Sequence, residues 1–214
     1  MTRLKKPIDY IEELLRNSET EALGEKLQKQ YNIWIKSLKA KDFCKFIDLI
    51  EDNKQLIGVA QFFGKFRAYS LEEYVYRLIM KKCSLPEGIK VFWGEKCLIS
   101  KPNESEYCME MDIIVGRKLN NCIKPRIIVD AKVELDASRF KTALASFMLV
   151  RRTHPNVKCF LVYLRKEIDD VLLRLAGSFF DGVYSLNLRM DESEDFLKAV
   201  QESISFDITE NLKS

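Results

Sequence analysis

The chain has 214 residues, 47% hydrophobic and 31% charged, with a formal net charge of +3. That length supports one sizeable core, and that balance excludes a wholly disordered protein. The Lys and Arg residues are too evenly spread for the small positive charge to identify an anionic partner.

No apolar stretch approaches the ~20 residues a membrane-spanning helix needs. The first nine residues, Met-Thr-Arg-Leu-Lys-Lys-Pro-Ile-Asp, turn acidic without a signal-peptide core. An intracellular, cytoplasmic protein with no membrane partner is therefore expected. The cysteines (Cys44, Cys83, Cys97, Cys108, Cys122, Cys159) contain no Cys-x-x-Cys pair, and the only histidine is His154. A structural zinc site is not expected. Cys44, Cys108 and Cys159 lie in apolar runs and read as small buried residues.

Residues 8 to about 65 read as helical. Ile8, Ile11, Leu14 and Leu15 recur at helical spacing, and Asn17-Ser18 interrupts them. From Thr20 onward, Leu23, Leu27, Tyr31, Ile35 and Leu38 line one side. Phe43, Phe46, Ile47 and Ile50 mark a third helix, and residues 56–63 a fourth. Such stripes ordinarily cover a core; dimerisation or partner contact are the alternatives. A further helix runs through residues 69–79, with Ser70 as N-cap and Glu73 as its capping-box acid. Leu71, Val75, Leu78 and Ile79 form its buried stripe. Glu72 lies at the border of that stripe, whereas Glu73 points away and reads as capping or solvated.

Residues 85–88 form a turn, followed by strands at 89–93 and 97–100 and a loop at 101–106. Two strands follow, 107–115 and 126–135, separated by a polar loop with Gly116, Asn120, Asn121 and Pro125. A helix (137–151), a nearly continuous apolar strand (157–164), a helix (168–176), a short strand (182–186) and a helix (193–204) complete the pattern. This order predicts an α/β (α+β) fold with a mixed sheet flanked by helices. The step 126–164 should be a right-handed parallel crossover.

The two middle strands carry unusual charge. Alternation puts Glu110 and Asp112 on one face of the first, opposite Met109, Met111, Ile113 and Val115. In the second, Asp130, Lys132 and Glu134 share a face opposite Ile127, Val129, Ala131 and Val133, so the core need not bury them. Charges crowded beside a core cost several kcal/mol each unless they are paired or bind metal.

These residues and their order resemble the PD-(D/E)XK nuclease superfamily, the restriction-endonuclease-like fold. Asp112 stands where that family's first acid belongs, with Met111 in place of the frequent proline. Asp130-Ala131-Lys132 matches the second half, and the helix bearing Glu72 resembles the family's preceding helix. The resemblance covers roughly residues 69–165. It implies a nuclease-like domain over 67–214 and an N-terminal helical region, 1–66, packed on or extending the core. Chain size and the added helices are also similar to nuclease-like proteins of archaeal spindle-shaped viruses, which would place the protein in a host cell.

The resemblance implies a Mg²⁺-dependent DNA endonuclease, with Mn²⁺ as a substitute. Asp112 and Asp130 would be direct ligands, Glu72 a ligand directly or through water, and the Ala131 carbonyl part of the shell. Clustered carboxylates suit a hard cation, which offsets charge developing on a phosphodiester and acidifies water. Lys132 would orient or deprotonate the attacking water and stabilise the transition state. Cutting both strands of a duplex with one site per chain is simplest in a homodimer. Lys65, Arg67, Arg139, Lys141, Arg151 and Arg152 are candidate phosphate contacts, each equally readable as a solvated helix face. His154 reads as a capping or surface residue. Two rival readings are a catalytically inactive nuclease-fold module that binds nucleic acid, and a structural protein whose acids pair internally with basic groups.

Overall fold

The computed structural model describes residues 6–100 and 107–210; the loop expected at 101–106 lies outside them. Five strands form one mixed sheet in the order β1-β2-β3-β4-β5. These are β1 (Lys90–Ser100), β2 (Tyr107–Lys118), β3 (Ile123–Leu135), β4 (Lys158–Lys166) and β5 (Gly182–Ser185). The pairs β1–β2 and β2–β3 are antiparallel, whereas β3–β4 and β4–β5 are parallel. The crossover expected between residues 126 and 164 is therefore parallel, with α6 (Ala137–Thr153) as its helix. Asp136 caps that helix, accepting from the Arg139 N–H at 2.8 Å.

On one face of the sheet lie α5 (Ala60–Lys82) and α8 (Ser193–Glu210), and beyond them α1 (Pro7–Leu15), α2 (Glu21–Ser37), α3 (Ala40–Asp52) and the short α4 (Lys54–Ile57). Their apolar residues join Ile113, Val115, Ile127, Val129, Ala131 and Val133 in one continuous core. The N-terminal helices thus pack chiefly on α5, with Trp34, Phe43, Phe46 and Tyr74 packed ring against ring. The other face packs under α6 and α7 (Asp170–Gly177).

That second layer corrects the expected alternation. Ile114 and Ile128 belong to the faces expected to carry only ionisable groups, yet both are fully buried in the second core. A sheet covered on both sides needs apolar residues on both, so the polar row of β3 is interrupted at Ile128 and resumes at Asp130.

Two further corrections concern backbone. Residues 89–93 and 97–100 were expected as separate strands, but β1 is continuous and bends at Gly94, whose φ is +60°. Past the bend Cys97 pairs in parallel with Ile123, so β1 reaches across to β3. The helix expected to begin at Ser70 begins ten residues earlier. Ser70 is buried mid-helix, and its hydroxyl donates to the Phe66 carbonyl at 2.6 Å instead of capping. The division drawn at 66/67 accordingly falls inside α5. Gly116 follows a register shift in β2, where a Cβ would stand 2.2 Å from the Lys124 carbonyl oxygen. Among the described residues no helix is long and apolar enough to cross a membrane.

Candidate active site

The β2–β3 ladder runs from Lys118↔Ile123 to Ile113↔Val129 and there ends. Beyond it the strands separate, and the side chain of Asp112 takes over the task of the missing ladder. Its Oδ2 accepts the Ala131 N–H at 2.9 Å. The bend at Gly94 accompanies this, because the register on either side, Trp93↔Ile113 and Glu95↔Met111, sets Gly94 opposite Asp112.

Asp130 and Lys132 flank Ala131 and complete a tight group. The Lys132 ammonium lies 2.5 Å from Asp130 Oδ1 and 3.4 Å from Asp112 Oδ2. Asp130 Oδ1 is buried, and apart from the lysine nothing among the described residues donates to it. Burial, then the negative charge of Asp112, push the Asp130 carboxyl up to about 7, while Lys132 opposes the shift. Burial pulls the Lys132 pKa down, but Asp130 and Asp112 more than offset it and hold the ammonium above the ordinary lysine range.

Glu72 reaches this group from α5. Its side chain is buried, at 7% exposure, and accepts the Trp93 indole N–H at Oε2, 2.8 Å away. Burial and then Asp112 push its pKa up to about 8; the Trp93 hydrogen bond and Lys132 lower it. Glu73 is also buried, contrary to the expectation of a capping or solvated residue. Tyr31 of α2 donates to both its oxygens (3.0 and 3.1 Å) and Arg77 donates to Oε1 at 2.7 Å. The N-terminal helices cover that side of α5, so Glu73 is tied into packing and Glu72 alone faces the sheet acids.

The structure thus brings Asp112, Asp130, Ala131 and Lys132 together, with Glu72 close enough for its charge to interact with theirs. Glu110 is exposed. Glu134 is bound by arginines: it pairs with Arg67, with Arg165 at 3.4 Å and with Arg139 at 3.7 Å. Arg67 also pairs with Glu51 at 2.8 Å, and Arg151 with Asp181 at 2.5 Å. Arg67, Arg139 and Arg151 therefore have internal partners, while Lys65, Lys141 and Arg152 are exposed. His154 is the C-cap residue of α6, its Nε2 2.8 Å from the Leu98 carbonyl oxygen.

Sequence reasoning missed two neighbours of the acids. In the sequence Trp93 stands only as the end of a strand. Tyr69 stands there only as the start of a helix; it lies three residues before Glu72, and burial, Glu72, Glu110 and Asp112 together raise its pKa. An i, i+3 spacing from Glu72 is the signal that would have found it. Cys108, expected as a small buried residue, is joined to Cys122 by a disulfide, with Cα atoms 6.2 Å apart. The return of β1 toward β3 brings these two segments side by side.

Asp112, Asp130 and the Ala131 main chain offer oxygen donors only, which is the chemistry of a hard cation; Mg²⁺ is commonly held through one or two carboxylates and water. The buried Asp130 Oδ1, with no donor but Lys132, fits such an ion. Among the described residues no three His, Cys, Asp or Glu side chains are grouped to hold a metal by themselves. The fit therefore rests on two side chains plus main chain and water.

No protein-family model matches the chain, and no curated protein is similar to it in sequence. Among solved structures it is similar to one described as the native BbvCI A2B2 tetramer at low resolution. The TM-score is 0.57 at 13% sequence identity, covering 100% of this chain and 99% of that one. The chain has the restriction-endonuclease-like fold. The likeness runs along the whole of both chains and is one of fold.

Proposed function

We propose that this chain is a metal-dependent endonuclease that hydrolyses DNA phosphodiesters with Mg²⁺, Mn²⁺ serving as a substitute. The observation that carries this reading is the convergence of Asp112, Asp130 and Lys132 at the point where β2 and β3 part. Asp112 and Asp130, with the Ala131 carbonyl, would hold the ion, and Glu72 would join directly or through water. When bound, the ion supplies charge neutralisation at the phosphate and a more acidic water. Lys132 enters as an ammonium and donates to the phosphate oxygen on which charge develops. Asp112 holds the Ala131 N–H and so fixes the spacing of the Asp130-Ala131-Lys132 segment against β2.

DNA is the proposed partner and a homodimer the proposed state; BbvCI, of the same fold, forms an A2B2 tetramer. A viral origin, with action in the host cytoplasm, belongs to the same reading. One observation favours the inactive, nucleic-acid-binding alternative: the close Asp130–Lys132 pair, with no group of three carboxylates to hold an ion. Incubation with supercoiled, linear, single-stranded and branched DNA in Mg²⁺, Mn²⁺ or EDTA separates the two. Metal-dependent cutting abolished by Asp130→Ala supports the nuclease. Binding without cutting in every metal supports the alternative.

A further inference from the structure

Glu72 and Glu73 are adjacent on α5, both buried, and held in opposite ways. Glu73 is satisfied by a cation and a phenol, with both oxygens engaged. Glu72 receives one hydrogen bond, from Trp93 to Oε2, and no described donor reaches Oε1. An indole N–H is a neutral donor with no second function. It orients a carboxylate without neutralising it, which an arginine cannot do.

Trp93 is itself fixed in two directions. Its ring stacks against Tyr76, one turn along α5 from Glu72, at 6.0 Å between centroids and 29° between planes. Its backbone pairs with Ile113, the residue after Asp112. Gly94 follows it directly and bends β1 opposite Asp112. The indole therefore joins the helix that carries Glu72 to the strand pair that carries Asp112.

We propose that Trp93 is a positioning residue, pinning one oxygen of Glu72 so that the other is presented to the Asp112–Asp130–Lys132 group in a single orientation. This rests on the nuclease reading of that group. A glutamate has several rotatable bonds, and a fixed rotamer removes the entropy of choosing one when an ion binds.

The test is calorimetric titration of Mn²⁺ into the metal-stripped full chain for wild type, Trp93→Phe, Glu72→Gln and the double variant. Phenylalanine keeps the stack on Tyr76 and removes the donor. Outer partners of metal sites commonly contribute about tenfold or more in affinity. The expected result is a loss of about tenfold in each single variant and no further loss in the double. Losses that add in full, or wild-type affinity in Trp93→Phe, overturn the proposal.

A second measurement needs no change at Trp93. The chain has two tryptophans, and the indole N–H resonance assigned to Trp93 should shift on adding Mg²⁺ to wild type and not in Glu72→Gln. An unmoved resonance in a wild type that binds Mg²⁺ overturns the proposal. A wild type that neither binds metal nor cuts DNA overturns the nuclease reading itself, and this proposal with it.

Discussion

Asp112 Oδ2 and the Ala131 N–H are hydrogen-bonded at 2.9 Å, and this contact stands where the β2–β3 ladder has just ended. A main-chain donor at a parting of strands needs an acceptor, and here a side chain supplies it. Asparagine offers the same oxygen without the charge. Asp112→Asn should therefore fold with unchanged or greater stability, since it also relieves the repulsion felt by Asp130 and Glu72. DNA cleavage should be lost. Urea denaturation beside a cleavage assay checks both; a large loss of stability would mean that the charge itself holds the fork.

Glu72 makes stability depend on pH. Its folded pKa of about 8 lies above the ordinary 4.5, so the folded state binds more protons than the unfolded chain between those values. The contribution of Glu72 to stability should therefore be fullest below about pH 4.5 and fall as pH rises toward 8, by an amount on the order of a few kcal/mol. Asp130, raised to about 7, adds in the same direction. Lys132 stays charged throughout that window. Unfolding free energies in EDTA from pH 4.5 to 8.5 should show this slope in wild type and a shallower one in Glu72→Gln. Saturating Mg²⁺ should flatten it, because a bound cation offsets the same charge.

Lys132 is the one described cation within reach of Asp130. Lys132→Met should cost about 2 kcal/mol at neutral pH, below the 3–5 typical of a fully buried pair because both partners retain some solvent contact. In an Asp130→Asn background the same substitution should cost little. A thermal-melt double-mutant cycle reads the difference, and equal costs in both backgrounds would show that the pair is not coupled.

Much of this arrangement is legible in the sequence. The Ile-Ile-Val run of β3 and the Asp-x-Lys after it fix a strand and its charged end. The apolar strand 157–164, flanked by helical patterns, signals the parallel half of the sheet. Three features were not legible, each for a physical reason. The full length of α5 is obscured because it is buried around most of its circumference, so Glu73 looks like a surface residue until α2 is placed beside it. The continuity of β1 is hidden by Gly94, since a strand bend and a turn use the same residue. The role of Trp93 depends on the pairing of β1 with β2, a contact that local spacing does not encode.

The arginine–glutamate group behind the site has a consequence for how the chain can be divided. Glu51 on α3, Arg67 on α5, Glu134 on β3 and Arg165 on β4 form one ionic cluster, with Arg67 lying over the Phe63 ring at 4.4 Å. The cluster spans both sides of residue 66 in sequence, and α5 passes through that point without a break. Removing residues 1–66 would strand Arg67 and Arg165 without Glu51 and strip the cover from Tyr74 and Glu73. A fragment 67–214 should accordingly lack a cooperative thermal transition by circular dichroism. The segment bearing the acids is thus no portable cassette: transplanting it onto another scaffold requires the amino-terminal helices to travel with it.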